Sequence, residues 1–212
     1  MFAAVAAILP AIDDADAATD ITYVSGTINE DFPVEKGNVV VIDKDLNIKN
    51  GAAFIVKAGA VVTVNEGVKV TVDGAKEVVN GGTKTSVPAS FIVEAGTAAQ
   101  GESDGTDGAR VIVNGQIIVG ENGTAMIGAV KNAQNSYEYS AAFDNKKDDV
   151  YAGTFVYGTI AVQKGGVASV AAQIMNGGAL SVTSTGTKVS QISGDIAMMS
   201  GSVVEVKGVI NG

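Results

Sequence analysis

The chain has 212 residues, a formal net charge of −9, and neither His nor Cys. The acidic balance excludes a basic face built to neutralise phosphates, and with it nucleic-acid binding. The missing residue types exclude Ser–His and Cys–His catalysis, the commonest zinc ligand, and a disulfide framework.

Apolar residues make up 46% of the chain but aromatic ones only 5%, and there are 27 Gly and no Trp. Val, Ala and Ile supply the apolar mass. Such a core is thin, with small side chains between closely packed sheets and Gly at the turns. Charged residues are 17% of the total, too few for extensive solvated helical faces.

Residues 1–17 read as an export signal, with an N-terminal helix or strand kept in the fold as the alternative. Phe2 to Leu9 is apolar, Pro10 breaks it, and Ala15-Asp16-Ala17 is a small–x–small cleavage pattern. The segment departs from the usual signal in having no Lys or Arg ahead of the apolar run, which is also too short to span a bilayer. Cleavage after Ala17 would leave a net charge of −6.

An N-terminal β-array is expected over residues 18–130. Ile21 to Val24 is a strand candidate, and Val39-Val40-Val41-Ile42 has the continuous apolar character of a strand buried on both faces. From Asp43 to Gly74 the chain moves in steps of eight. Leu46 and Ile48, Phe54 and Val56, Val62 and Val64, and Val70 and Val72 form apolar–x–apolar triplets with Gly between them. Alternation of period two is the strand period. A unit this small cannot bury its apolar side alone and must stack on neighbours, in the same chain or the next.

Gly81-Gly82-Thr83-Lys84-Thr85-Ser86 has a superficial likeness to a phosphate-binding loop. The first Gly of the required spacing is absent and Thr stands between Gly and Lys, so the stretch reads as a turn before the strand Phe91 to Val93. Glu102, Asp104 and Asp107 lie in an acidic, Gly-rich loop, where carboxylates on a turning backbone could converge on calcium. They do not follow EF-hand spacing, and a solvated loop is the plainer reading. Asn114-Gly115 between Val111–Val113 and Ile117–Val119 is a strong short hairpin signal. Asn122-Gly123-Thr124 is a glycosylation sequon in a turn.

Residues 131–153 are polar and charged, and read as a linker or excursion. Tyr137, Tyr139 and Tyr151 within it either form a contact surface or pin the loop to the body. A C-terminal β-array is expected over residues 154–212, where Gly-punctuated apolar pairs return: Ile160 and Val162, Leu180 and Val182, Ile196 and Met198, Val204 and Val206. No polar cap is visible after them, and an open strand edge recruits other chains.

The fold class is all-β, with short strands forming β-arches, solenoid-like coils or a meander. A β-sandwich of hairpins is the alternative, prompted by Asn114-Gly115 and Asp73-Gly74. No catalytic constellation emerges. Asp104 with Asp107 and Asp148 with Asp149 are the local acid pairs. The chain is short for a β-helical carbohydrate-active enzyme and poor in aromatics for stacking sugars. The expected protein is therefore no enzyme, takes no cofactor beyond optional calcium, and has no small-molecule substrate and no transmembrane span.

The units Gly51–Ala58, Gly59–Glu66 and Gly67–Asp73, the Gly-punctuated stretch from Gly158 to Gly212 and the export-like start resemble those of methanogen sheath proteins. These are amyloid-like β-arch subunits that stack into hoops around archaeal cells. The resemblance covers most of the mature chain in style and carries no diagnostic motif. It implies an extracellular structural protein whose partner is itself, self-assembled by strand-edge pairing into a sheath or filament. A surface-layer, pilin or adhesin subunit is the competing expectation.

Overall fold

The structure, a computed structural model, describes residues 20–95, 108–139, 153–185, 187–207 and 209–210. Three β-sheets, of seven, seven and nine strands in the order the chain visits them, run side by side along one axis. The chain visits them in turn, one strand each, and then begins the next circuit. Ile21–Tyr23, Gly26–Ile28 and Phe32–Val34 make one coil; Val39–Ile42, Leu46–Ile48 and Ala53–Val56 make the next. Seven strands lie on the main path of each sheet, so the body is a three-sided parallel β-solenoid of seven coils.

The eight-residue unit is one side of this triangle. Leu46 pairs with Val70, three units further on, while the intervening Phe54 and Val62 lie in the other two sheets. Each apolar–x–apolar triplet points its outer two residues into the solenoid. Leu46, Ile48, Phe54, Val56, Val62, Val64, Val70 and Val72 are all fully buried. Stacking is within the chain: every coil covers the apolar rim of its neighbour, so units that could not form a core alone build one together. Phe32, Phe54 and Phe91 lie in register in the third sheet, and their rings stack at 5.4 and 5.5 Å.

Two expectations are corrected. Val39–Ile42 is not buried on both faces; Val40 and Ile42 point inward, while Val39 and Val41 are half-buried on the outside. Asn114-Gly115 and Asp73-Gly74 make no hairpins. Arg110–Val113 and Gln116–Val119 lie in different sheets, so Asn114-Gly115 is a corner, and Gly115 N–H donates to the Val64 carbonyl in the coil before. Gly115 is there for space. A Cβ would stand 2.3 Å from the carbonyl oxygens of both Asn65 and Val68.

The described residues do contain two hairpins, both extensions of third-sheet strands. Ala75–Asn80 pairs antiparallel with the first half of the long strand Thr83–Glu94, whose second half joins the solenoid between Ala53–Val56 and Gly123–Lys131. Gly81 and Gly82, both at positive φ, make its two-residue turn, the backbone that matches strand twist in a tight hairpin. The phosphate-loop look-alike is this turn. The second hairpin joins Gly123–Lys131 to Tyr137–Tyr139. All three sheets continue from the N-terminal array into the C-terminal one. Val111–Val113 pairs with Thr154–Val156, Gln116–Val119 with Thr159–Val162, and Thr124–Ile127 with Val167–Val170.

Candidate functional site

The side chains singled out from sequence do not converge. Glu102, Asp104 and Asp107 lie outside the described residues, as do residues 1–17, Tyr151 and the Asp148–Asp149 pair. Among the described residues, no group of three or more Asp, Glu, His or Cys side chains is arranged to hold a metal ion. No helix among them is long and apolar enough to cross a membrane.

Asn122 is exposed at the corner between the second and third sheets, at φ +56°. Two shallow, open depressions meet there, one beside Lys49, Asp73 and Glu121 and the other beside Glu121, Lys164 and Lys188. Two ion pairs line them: Lys49 approaches Asp73 at 3.9 Å, and Lys188 bonds Glu121. Thr124, the third residue of the sequon, begins the strand face, and its hydroxyl shares a hydrogen bond of 2.9 Å with that of Ser90.

Two of the tyrosines form a strap. The Tyr137 hydroxyl donates to Glu94 Oε1 at 2.6 Å, while Glu94 Oε2 accepts from Ala58 N–H at 3.0 Å. The Tyr139 hydroxyl accepts from Asp195 N–H at 2.9 Å and reaches the Asp195 carboxylate at 3.4 Å. One short strand thus ties corners of the second, third and sixth coils together. Burial, followed by the Glu94 carboxylate that accepts its proton, pushes the Tyr137 phenol well above its ordinary value. Burial also raises Tyr139. The loop is pinned to the body at these two residues.

The remaining candidate surface is the solenoid's edges. In the outermost described coil, Ile196–Met198 and Val203–Lys207 pair inward with Ala172–Ile174 and Ala179–Thr183, and have no outer strand partner among the described residues. Val204 follows the fully inward Leu180 in the ladder yet is 41% exposed; its neighbour Val203 is 57% exposed, and Met198 is also open. At the opposite edge Ile21–Tyr23 and Gly26–Ile28 are likewise unpaired outward among the described residues, and belong to the same two sheets. Val204 and Met198 thus continue inward positions of the ladder and are left uncovered, whereas Val203 faces outward beside Ala179. Sequence marks Val204 and Val206 as a triplet, but says nothing of which triplet lies at an edge.

No protein-family model, curated protein or solved structure matches the chain.

Proposed function

We propose that the protein is an extracellular structural subunit that polymerises head to tail, the edge of one solenoid pairing with the opposite edge of the next to make a sheath or filament. The resemblance to archaeal sheath proteins belongs to this reading. One observation carries it: Val204 and Met198, inward-pointing by register with Leu180 and Ile174, are exposed on parallel strands with no outer partner among the described residues. Parallel sheets normally have their apolar residues covered, and an open edge is a template for another strand. The first and seventh coils present the same sheets in the same order, so a second copy would extend each ladder. Such a contact is heterologous, and repeats without closing unless a rotation brings it round into a ring. Each added backbone hydrogen bond nets about 0.5–1.5 kcal/mol, and a coil supplies several at once.

The test is electron microscopy with fibre diffraction on residues 18–212, beside Val204→Lys. Ordered filaments, rings or sheets in the parent, lost in the variant while its circular dichroism is kept, support the reading. A parent that remains monomeric at high concentration overturns it. Assembly that survives Val204→Lys but is lost when Ile21–Tyr23 is removed points instead to a surface-layer or adhesin subunit joined by a donated strand.

A further inference from the structure

We propose that Asn80–Gly81, at the tip of the protruding hairpin, is where the folded chain undergoes spontaneous deamidation, while the solenoid withholds its other described Asn–Gly pairs from the same reaction. In this chemistry the backbone nitrogen of the residue after Asn attacks the side-chain amide carbon. A C–N bond forms, ammonia leaves, and a five-membered succinimide remains. Water then opens the ring at one carbonyl or the other, giving aspartate or isoaspartate. No oxidant or enzyme is needed. The step does require the attacking N–H to be unengaged, the Asn side chain to swing onto it, and the local backbone to yield. Gly in second place leaves the attack unhindered.

Asn–Gly occurs at 50, 80, 114, 122 and 176 within the described residues. Four of these are corners of coils, and each is restrained. Gly115 N–H donates to the Val64 carbonyl at 3.2 Å, Gly123 N–H to Gly120 at 3.1 Å, and Gly177 N–H to Gly201 at 3.2 Å. At the remaining corner the Asn50 amide itself is held, donating to Asn29 Oδ1 at 2.9 Å. The Gly51 backbone there lies tight under the hairpin, a Cβ position falling 2.7 Å from the Val87 carbonyl oxygen.

Asn80 differs on every count. It and Gly81 are exposed, nothing stands within 4 Å of a Cβ built on Gly81, and neither the Gly81 N–H nor the Asn80 side chain has a hydrogen-bond partner among the described residues. The ribbon carrying them is two-stranded and lies outside the core, and a lone two-stranded hairpin is only marginally stable. Local opening at the tip is therefore cheap, whereas freeing a corner means disrupting a coil.

The product changes the tip. Either form adds a negative charge at the turn. Isoaspartate also inserts a carbon into the backbone at the residue that pairs with Thr83, and so breaks the register of the two-residue turn.

Peptide mass spectrometry after timed incubation of the folded full chain at mildly alkaline pH reads all five sites in one sample. A parallel sample in urea gives each site's unprotected rate. The expected result is that Asn80 converts in the folded chain at close to its urea rate, while Asn50, Asn114, Asn122 and Asn176 are slowed at least about tenfold by the need to open a coil. In Asn80→Gln the early conversion disappears. Equal slowing of Asn80 and the corners, or equal reactivity of all five in the folded chain, overturns the proposal. Each site is compared with itself unfolded, so the outcome does not depend on whether the protein polymerises.

Discussion

The rings of Phe54 and Phe91 lie 5.5 Å apart with 1° between their planes, one directly above the other in consecutive coils of the third sheet. Phe32 stacks on the far side of Phe54, which is therefore the middle of three and fully buried. Aromatic residues are few in this chain, and three of them form this column.

Phe54→Ala should be among the most damaging single changes. It removes a large buried side chain and leaves the two flanking rings facing a void, for an expected loss of about 3–5 kcal/mol. Phe32→Ala, at the partly exposed end of the column, should cost clearly less. Denaturant titration of the two variants checks the order; equal losses would mean that the column is not the unit.

Thr154→Val should stabilise. Thr154 continues the inward ladder between Val111 and Ala172, is completely buried, and its hydroxyl has no hydrogen-bond partner among the described residues. Burying an unpaired hydroxyl costs roughly 1–3 kcal/mol on protein scales, and Val keeps the shape. The melting temperature should rise by a few degrees.

Gly115→Ala and Gly67→Ala separate two uses of glycine. At Gly67 the backbone has φ +78° with open space around it, so a methyl group costs about 1–2 kcal/mol of left-handed strain. At Gly115 the methyl group meets two backbone carbonyls of the preceding coil, which cannot move without opening its corner. The expected loss there is the larger, about 2–4 kcal/mol. Chemical denaturation measures both.

The tyrosine strap gives an alkaline limit. The Tyr137 and Tyr139 phenols are held above their ordinary value of 10.0, so above pH 10 the unfolded chain releases protons that the folded chain keeps. The associated stability is complete below pH 10 and falls as pH rises towards the folded values. Stability should decline more steeply above pH 10 in the parent than in Tyr137→Phe/Tyr139→Phe. Parallel slopes in the denaturant midpoint across that range would remove the strap from the account.

Excising residues 76–87 and joining Ala75 to Pro88 should leave the solenoid intact. The neck is already closed by the bond from Ala89 N–H to the Gly74 carbonyl at 2.8 Å, and the excised strands bury little. Circular dichroism should keep its β signature and the denaturant midpoint should change little. A collapse of stability would show that the ribbon supports the coils.

Much of this was legible in the sequence, because the inner residue pairs had to be apolar and the units had to be short. Leu46 with Ile48 and Val70 with Val72 announce strands and mark their inward sides. How consecutive units turn is a different matter. Asn114-Gly115 carries hairpin chemistry, yet the corner selects Gly115 because two carbonyls from the previous coil approach it, which the local sequence cannot reveal. Conversely, the real hairpin at Gly81-Gly82 sits among Lys, Thr and Ser rather than in an apolar alternation. The strap was beyond reach for another reason. Tyr137 is 43 residues from Glu94 and Tyr139 is 56 from Asp195, and only the closing of intermediate coils sets those pairs side by side.

The ladder bonds between coils point along the solenoid axis, and this sets its mechanics. Strands spaced at about 4.8 Å give seven coils a length of roughly 30 Å, with every inter-coil bond parallel to that length. A pull on the two ends loads the coils one after another, so the weakest junction peels first and the rest follow at similar force. A push from the side is shared by all three walls and by the interlocked column inside. The body is a stiff strut that resists crushing far better than stretching.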